Sequence, residues 1–161
     1  MKKNYLLLII TLILISCKDD NSSGDEYNYT YTEKSDLIIS TLEDSYMKFG
    51  AIEEGENLVF EYRFYAEDEE LIADDEYGET IRFEIDSELT EFTYSNTELS
   101  NIDLVFTKHC YCYFPIDESK DVKPKGIING EKISENNWKI KIDLTFYGDE
   151  TRTVDENFKL E

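Results

Sequence analysis

Residues 138–146, with the sequence WKIKIDLTF, carry the most regular pattern in the chain. Apolar side chains occupy every second position from Trp138 to Phe146, and charged or hydroxyl side chains fill the positions between them. A period of two is typical of a β-strand that buries one face and exposes the other to water. The pattern therefore predicts a strand here, with Trp138 in the core.

The same alternation recurs along the chain, and turn-forming residues separate its segments. Further alternating stretches cover residues 58–64, 81–85, 92–94, 102–106 and 154–160. Gly148-Asp149 has the composition of a hairpin turn with glycine first, and Asn129-Gly130 is a second hairpin dipeptide. About seven short strands separated by such turns predict an all-β fold, which we expect to be an antiparallel β-sandwich with an immunoglobulin-like layout.

Two stretches are less regular. Ile38, Leu42, Tyr46 and Phe49 are spaced like one face of a helix that ends at Gly50. Two strands would fit the same residues, so both alternatives stay open. Residues 95–98, Ser-Asn-Thr-Glu, form a capping box that predicts a single helical turn.

The N-terminus predicts a secreted protein. Lys2 and Lys3 precede an apolar run over residues 6–15, which as a helix would span about 15 Å of a bilayer core of roughly 30 Å. This is too short to span a membrane but suits a signal peptide. The run ends in Leu-Ile-Ser before Cys17 and resembles the lipobox of bacterial lipoproteins. The resemblance implies cleavage before Cys17, which would carry a diacylglyceryl group and an acylated amine.

The residues after Cys17 predict where the protein is localised. Residues 18–20, Lys-Asp-Asp, resemble the short export signal of surface lipoproteins in the Bacteroidetes group. That resemblance implies attachment to the outer membrane by the lipid anchor, with exposure at the cell surface. We therefore expect a signal peptide at 1–16, a lipidated Cys17 with a flexible tether at 17–34, and a folded domain at 35–161.

A looser resemblance concerns the folded part. The Cys-x-Cys segment at 110–112, together with Gly126, Ile128, Gly130 and Trp138, is similar to small uncharacterised lipoproteins of flavobacteria. This resemblance implies no activity. It supports only the idea that these residues close the domain with a hairpin.

Composition restricts the partners. The formal net charge is −21, which disfavours nucleic acid because phosphates would be repelled. Aromatic residues make up 14% of the chain, which argues for a folded domain because disordered segments are poor in them. The remaining partner classes are the membrane through the lipid anchor, glycans and other surface proteins.

The most unusual local feature is the segment His109-Cys110-Tyr111-Cys112. In an extended strand the Cα atoms of Cys110 and Cys112 would be about 6.5–7 Å apart, whereas disulfides prefer roughly 4.4–6.8 Å. A local bend and an oxidising compartment would favour a disulfide between them. Two alternatives are a pair of buried thiols and a zinc or copper site formed by Cys110, Cys112 and His109. The zinc or copper site lacks the fourth ligand of a tetrahedral site.

Tyr111 and Tyr113 are the candidate ligand-binding residues. If their face of the strand is exposed, the two rings form an aromatic pair suited to binding sugars or proteins. The acidic residues at 67–70 and 74–76 offer oxygen ligands for calcium, but their spacing does not match an EF-hand loop and favours a solvated loop. No phosphate loop, dinucleotide fingerprint or hydrolytic triad is recognisable, so we predict a binding or structural module without enzymatic activity or cofactor.

Overall fold

The computed structural model describes residues 24–67 and 76–161. The predicted signal peptide, Cys17 and the export motif lie outside these residues. Eight strands, named β1 to β8, make up most of the described chain, which confirms the all-β prediction. They are β1 (Glu26–Thr41), β2 (Lys48–Tyr65), β3 (Gly78–Ile85), β4 (Glu91–Ser95), β5 (Leu104–His109), β6 (Lys125–Ser134), β7 (Asn137–Thr145) and β8 (Thr151–Leu160). Two short 3₁₀ helices, η1 (Asn96–Asn101) and η2 (Tyr147–Asp149), lie between strands.

The strands form one mixed sheet in the order β4-β6-β7-β8-β1-β2-β3-β5. Neighbours are antiparallel except β1 and β8, which are parallel. The predicted immunoglobulin-like sandwich of about seven antiparallel strands is therefore not confirmed. A sandwich has two sheets, whereas here the long β1–β2 hairpin joins both halves into a single hydrogen-bonded sheet.

The sheet is rolled around its core. Phe92 lies on β4 at one edge, yet its ring centroid is 5.9 Å from that of Phe83 on β3. Helix η1 connects β4 directly to β5 at the opposite edge, and its N-terminus has the predicted capping box, in which Ser95 N donates to Glu98 Oε2 at 3.1 Å. Trp138 is fully buried inside the roll, between Phe60 and Phe92. The predicted core position of Trp138 is thus confirmed.

The β1–β2 hairpin answers the question left open for residues 38–49. Both segments are strands, and the hairpin bends at a bulge near Ser35, next to Lys34 with a φ of 53°. We call residues 36–53 of this hairpin the folded-back arm. β1 begins at Glu26, so residues 26–34, which we assigned to the tether, belong to the sheet.

Of the two hairpin turns predicted from the sequence, one is confirmed and the other is wrong. Gly148-Asp149 lies in the β7–β8 turn, where both residues have positive φ of 77° and 60°. The prediction for Asn129-Gly130 is wrong, because both residues lie within β6. A Cβ on Gly130 would lie 2.6 Å from Ile140 Cδ1, so this glycine permits close packing inside the roll.

Candidate functional site

A row of residues at the ends of four strands forms the floor of the candidate site. Glu26 of β1 is the register partner of Tyr65 of β2, Tyr65 is that of Gly78 of β3, and Gly78 is that of His109 of β5. Register partners in adjacent strands project from the same face of a sheet. Their side chains therefore lie side by side on one surface.

Gly78 allows the ring of Tyr65 to lie across this row. It has no side chain, and a Cβ there would lie 2.7 Å from Tyr65 Cδ1 and 3.0 Å from the carbonyl oxygen of Phe64. The ring of Tyr65 therefore lies against the backbone of Gly78, while His109 stands on its other side. The ring thus occupies the space where a side chain of residue 78 would stand, and lies next to the strand that carries His109.

The row belongs to a cleft of about 760 Å³. This volume is within the range of small-molecule binding sites, roughly 300–1,000 Å³. Three tyrosines and three glutamates contribute to its walls. The lining residues are Gly24, Glu26, Tyr65, Ala66, Glu67, Glu76, Tyr77, Gly78, His109, Cys110 and Tyr111.

Cys110 and Cys112 are joined by a disulfide bond, and their Cα atoms are 5.1 Å apart. This separation is shorter than in an extended strand, because β5 ends at His109 and the backbone bends over Cys110 and Tyr111. The ring closed by the disulfide encloses one residue, Tyr111. The disulfide thereby constrains the backbone of an aromatic residue in the cleft wall.

The structure separates the two tyrosines that the sequence paired. Tyr111 and Tyr113 are similarly exposed, at 88% and 85%, and both follow β5. Tyr111 lines the cleft, whereas Tyr113 is outside it. Tyr111 therefore belongs to the candidate site, and Tyr113 provides a matched comparison on the same segment.

His109 lies at the β5 end of the floor. Its Nε2 is 2.8 Å from the hydroxyl of Thr80. Desolvation and the positive charges of Arg82 and Arg63 lower the pKa of His109 below its ordinary value, against the opposing effect of Glu61. The lowered pKa favours the neutral imidazole, which carries no positive charge into the cleft.

A buried ionic cluster supports the cleft from the opposite face of the sheet. Arg152 pairs with both oxygens of Glu79, and Tyr77 donates its hydroxyl hydrogen bond to Glu79 as well. Burial and this hydrogen bond raise the pKa of Tyr77. Tyr77 thus lines the cleft while its hydroxyl group is held by the interior, which fixes the ring.

The three candidate metal ligands have other partners in this structure. The sulfur atoms of Cys110 and Cys112 are bonded to each other, and His109 contacts Thr80. Over residues 24–67 and 76–161, no group of three or more His, Cys, Asp or Glu side chains could hold a metal ion. The acidic residues 68–70 and 74–75, considered for calcium, lie outside the described residues.

Sequence reasoning missed Tyr65, Tyr77 and Gly78. A signal was present for Tyr65, because it directly follows Phe64 and so places an aromatic ring on the face opposite to the alternating apolar residues. No local pattern marked Gly78, since its role depends on Tyr65 and His109, which are distant in sequence.

No protein-family model matches the chain, and no curated protein or solved structure shows significant similarity to it. In the part of the chain that the structure describes, no helix has the length and apolar character required to cross a bilayer.

Proposed function

We propose that this chain is a surface lipoprotein whose domain recognises glycans through the cleft at the ends of β2, β3 and β5. The observation that carries the proposal is the cleft of about 760 Å³, whose floor is the row Tyr65–Gly78–His109 and whose walls include Tyr77 and Tyr111. Pyranose rings present apolar C–H faces and polar rims. Aromatic rings pack against the faces, and carboxylates accept hydrogen bonds from the hydroxyl groups.

The test compares three variants of the full chain, extracted from membranes in mild detergent and screened against immobilised oligosaccharides. Tyr65→Ala and Tyr111→Ala are each expected to lower affinity by about tenfold, as for a buried aromatic contact of moderate strength. Tyr113→Ala is the matched control, because it removes an equally exposed ring outside the cleft. Equal losses in Tyr111→Ala and Tyr113→Ala would contradict the cleft as the site.

The anchoring part of the proposal rests on Lys2, Lys3, the apolar run and Cys17. Two or more acyl chains on Cys17 would give stable attachment, since each buried methylene contributes about 0.8 kcal/mol. Mass spectrometry of the mature N-terminal peptide is expected to show a lipidated Cys17, and Cys17→Ala is expected to release the protein from the membrane. Protease treatment of intact cells then tests surface exposure.

A second candidate is a metal or redox protein that uses Cys110 and Cys112. The observation in its favour is that Cys112 is exposed to solvent next to the cleft, where a partner thiol could reach it. Thiol titration, intact mass and zinc and copper content of one preparation distinguish the two states. Two free thiols with stoichiometric metal would favour the metal role, whereas an oxidised pair without metal would contradict the metal role and leave only thiol–disulfide exchange for this candidate.

A further inference from the structure

The cleft combines aromatic walls with an excess of negative charge. Three of its lining residues, Glu26, Glu67 and Glu76, carry carboxylates and are exposed, and its described lining includes neither Lys nor Arg. Asn28 donates a hydrogen bond of 3.1 Å to Glu26, and neither Glu67 nor Glu76 is in an ion pair among the described residues. Their charge is therefore not neutralised locally.

Four cations on β2, β3, β5 and β8 are in ion pairs with carboxylates that do not line the cleft. On the face that carries the cleft, Arg63 and Arg82 both bind Glu61, at 2.6 and 2.5 Å. On the inner face, Arg152 and Lys108 bind Glu79 and Glu150, respectively. The inner-face pairs cancel, whereas Arg63 and Arg82 share Glu61 and together with it keep one net positive charge. The three glutamates of the cleft outweigh this charge, so a ligand in the cleft experiences a net negative field.

From this arrangement we infer that the cleft selects saccharides that carry protonated amines over neutral and acidic saccharides, with Glu67 and Glu76 supplying the selectivity. The inference rests on the proposed glycan-binding function and names its ligand class. The sugar ring packs between Tyr65 and Tyr111, and the ammonium group on its rim is attracted by the carboxylates at the cleft mouth. An N-acetylated sugar of the same size keeps the ring contacts and lacks the charge, while an acidic sugar is repelled.

The contribution of charge to the binding affinity has a predictable size. Exposed ion pairs change an equilibrium constant by about two- to fivefold each. Raising the salt from 0.15 M to 1 M shortens the screening length from about 8 Å to about 3 Å and should remove most of this gain. The contact with the aromatic rings should persist, because it does not depend on ionic strength.

The experiment measures binding of two tetrasaccharides to the full chain in mild detergent: the glucosamine tetramer and the N-acetylglucosamine tetramer. The glucosamine tetramer is expected to bind about tenfold more tightly at 0.15 M salt, with the difference largely lost at 1 M. The double variant Glu67→Gln/Glu76→Gln is expected to lower affinity for the glucosamine tetramer alone. Glu53→Gln/Glu54→Gln is the matched control, because it removes two exposed carboxylates at the end of the folded-back arm and directly after it, outside the cleft.

The other outcomes separate this inference from the proposed function. If both tetramers bind equally, lose affinity in Tyr65→Ala and ignore Glu67→Gln/Glu76→Gln, charge selection is refuted and glycan binding stands. If tetralysine binds as tightly as the glucosamine tetramer and Tyr65→Ala has no effect, the cleft recognises positive charge and the saccharide class is refuted. If neither tetramer binds and the oligosaccharide screen is also negative, both proposals fail.

Discussion

The two faces of the β2–β3–β5 part of the sheet are buried in different ways. The inner face carries a continuous aromatic core in which Phe60 stacks on Phe83 at 4.8 Å, and the rings of Phe106 and Phe146 are 5.0 Å apart. The outer face has a small apolar cluster of Leu37, Val59 and Val105, with ion pairs beside it.

The outer face is covered over only part of its length. The folded-back arm lies over it, where Thr107 Oγ1 donates to the carbonyl of Lys48 at 2.8 Å and the amide of Leu37 donates to Glu84. Beyond the reach of the arm lie Tyr65, Gly78 and His109, which form the floor of the cleft. The inner face therefore holds the fold together, and the outer face divides into a structural half and an accessible half.

The largest expected effect is in the inner core. Trp138→Ala removes a fully buried ring that contacts Phe60 and Phe92, and should lower the free energy of unfolding by about 3–5 kcal/mol. Urea denaturation followed by circular dichroism measures it. A loss below about 1 kcal/mol would mean that the roll does not depend on this core.

The next effect concerns the ionic cluster inside the roll. Arg152→Met leaves Glu79 buried without its main partner and should destabilise the protein by about 2 kcal/mol, less than for a fully buried pair because Arg152 remains partly exposed. Glu79→Gln/Arg152→Met, which removes both charges, should recover part of this loss. A double variant that is no more stable than the single one would contradict the pairing.

The same cluster predicts an acid dependence. Burial raises the pKa of Glu79. Hydrogen bonds from Arg152 and Tyr77, together with the charges of Arg152 and Lys108, lower it by more, so the pKa lies below the ordinary value of 4.5. Ionised Glu79 stabilises the fold above pH 4.5, and this contribution is lost as the pH falls through the folded-state pKa. Thermal unfolding between pH 7 and pH 3 should therefore show a smaller acid-induced decrease in Tm for Glu79→Gln than for the wild type.

A smaller effect is expected on the outer face. Val105→Ala removes two methyl groups from a cluster of three buried side chains and should lower the free energy of unfolding by about 1–2 kcal/mol. Hydrogen exchange should show faster opening of the folded-back arm, while the inner strands keep their protection. Uniform loss of protection in all strands would show that the arm and the roll unfold as one unit.

The smallest effect on stability is expected for loss of the Cys110–Cys112 disulfide in the cleft wall. Cys110→Ser/Cys112→Ser opens a ring of three residues, and the chain-entropy model then gives a loss below about 2 kcal/mol. Binding should suffer more than stability, because Tyr111 is highly exposed and the disulfide constrains its backbone. Affinity equal to that of Tyr111→Ala would support this role, and unchanged affinity would contradict it.

Local pattern was sufficient for part of the fold and for part of the site. The alternation over residues 138–146 predicted β7 and the burial of Trp138, because a period of two depends only on neighbouring residues. Gly148 marked the β7–β8 turn for a similar reason, since its positive φ is a local requirement. The prediction for Asn129-Gly130 was wrong because Gly130 permits close packing against Ile140 and Phe92, which no local pattern reveals.

The sequence by itself determined that the domain is all-β, which faces of most strands are apolar, and that Cys110, Tyr111 and Cys112 form an unusual segment. The tertiary structure decided that the strands form one rolled sheet, because strand pairing depends on register between segments far apart in the chain. It also decided where the site lies. Tyr65, Gly78 and His109 meet only because three strands align at the same end of the sheet, beyond the part that the folded-back arm covers.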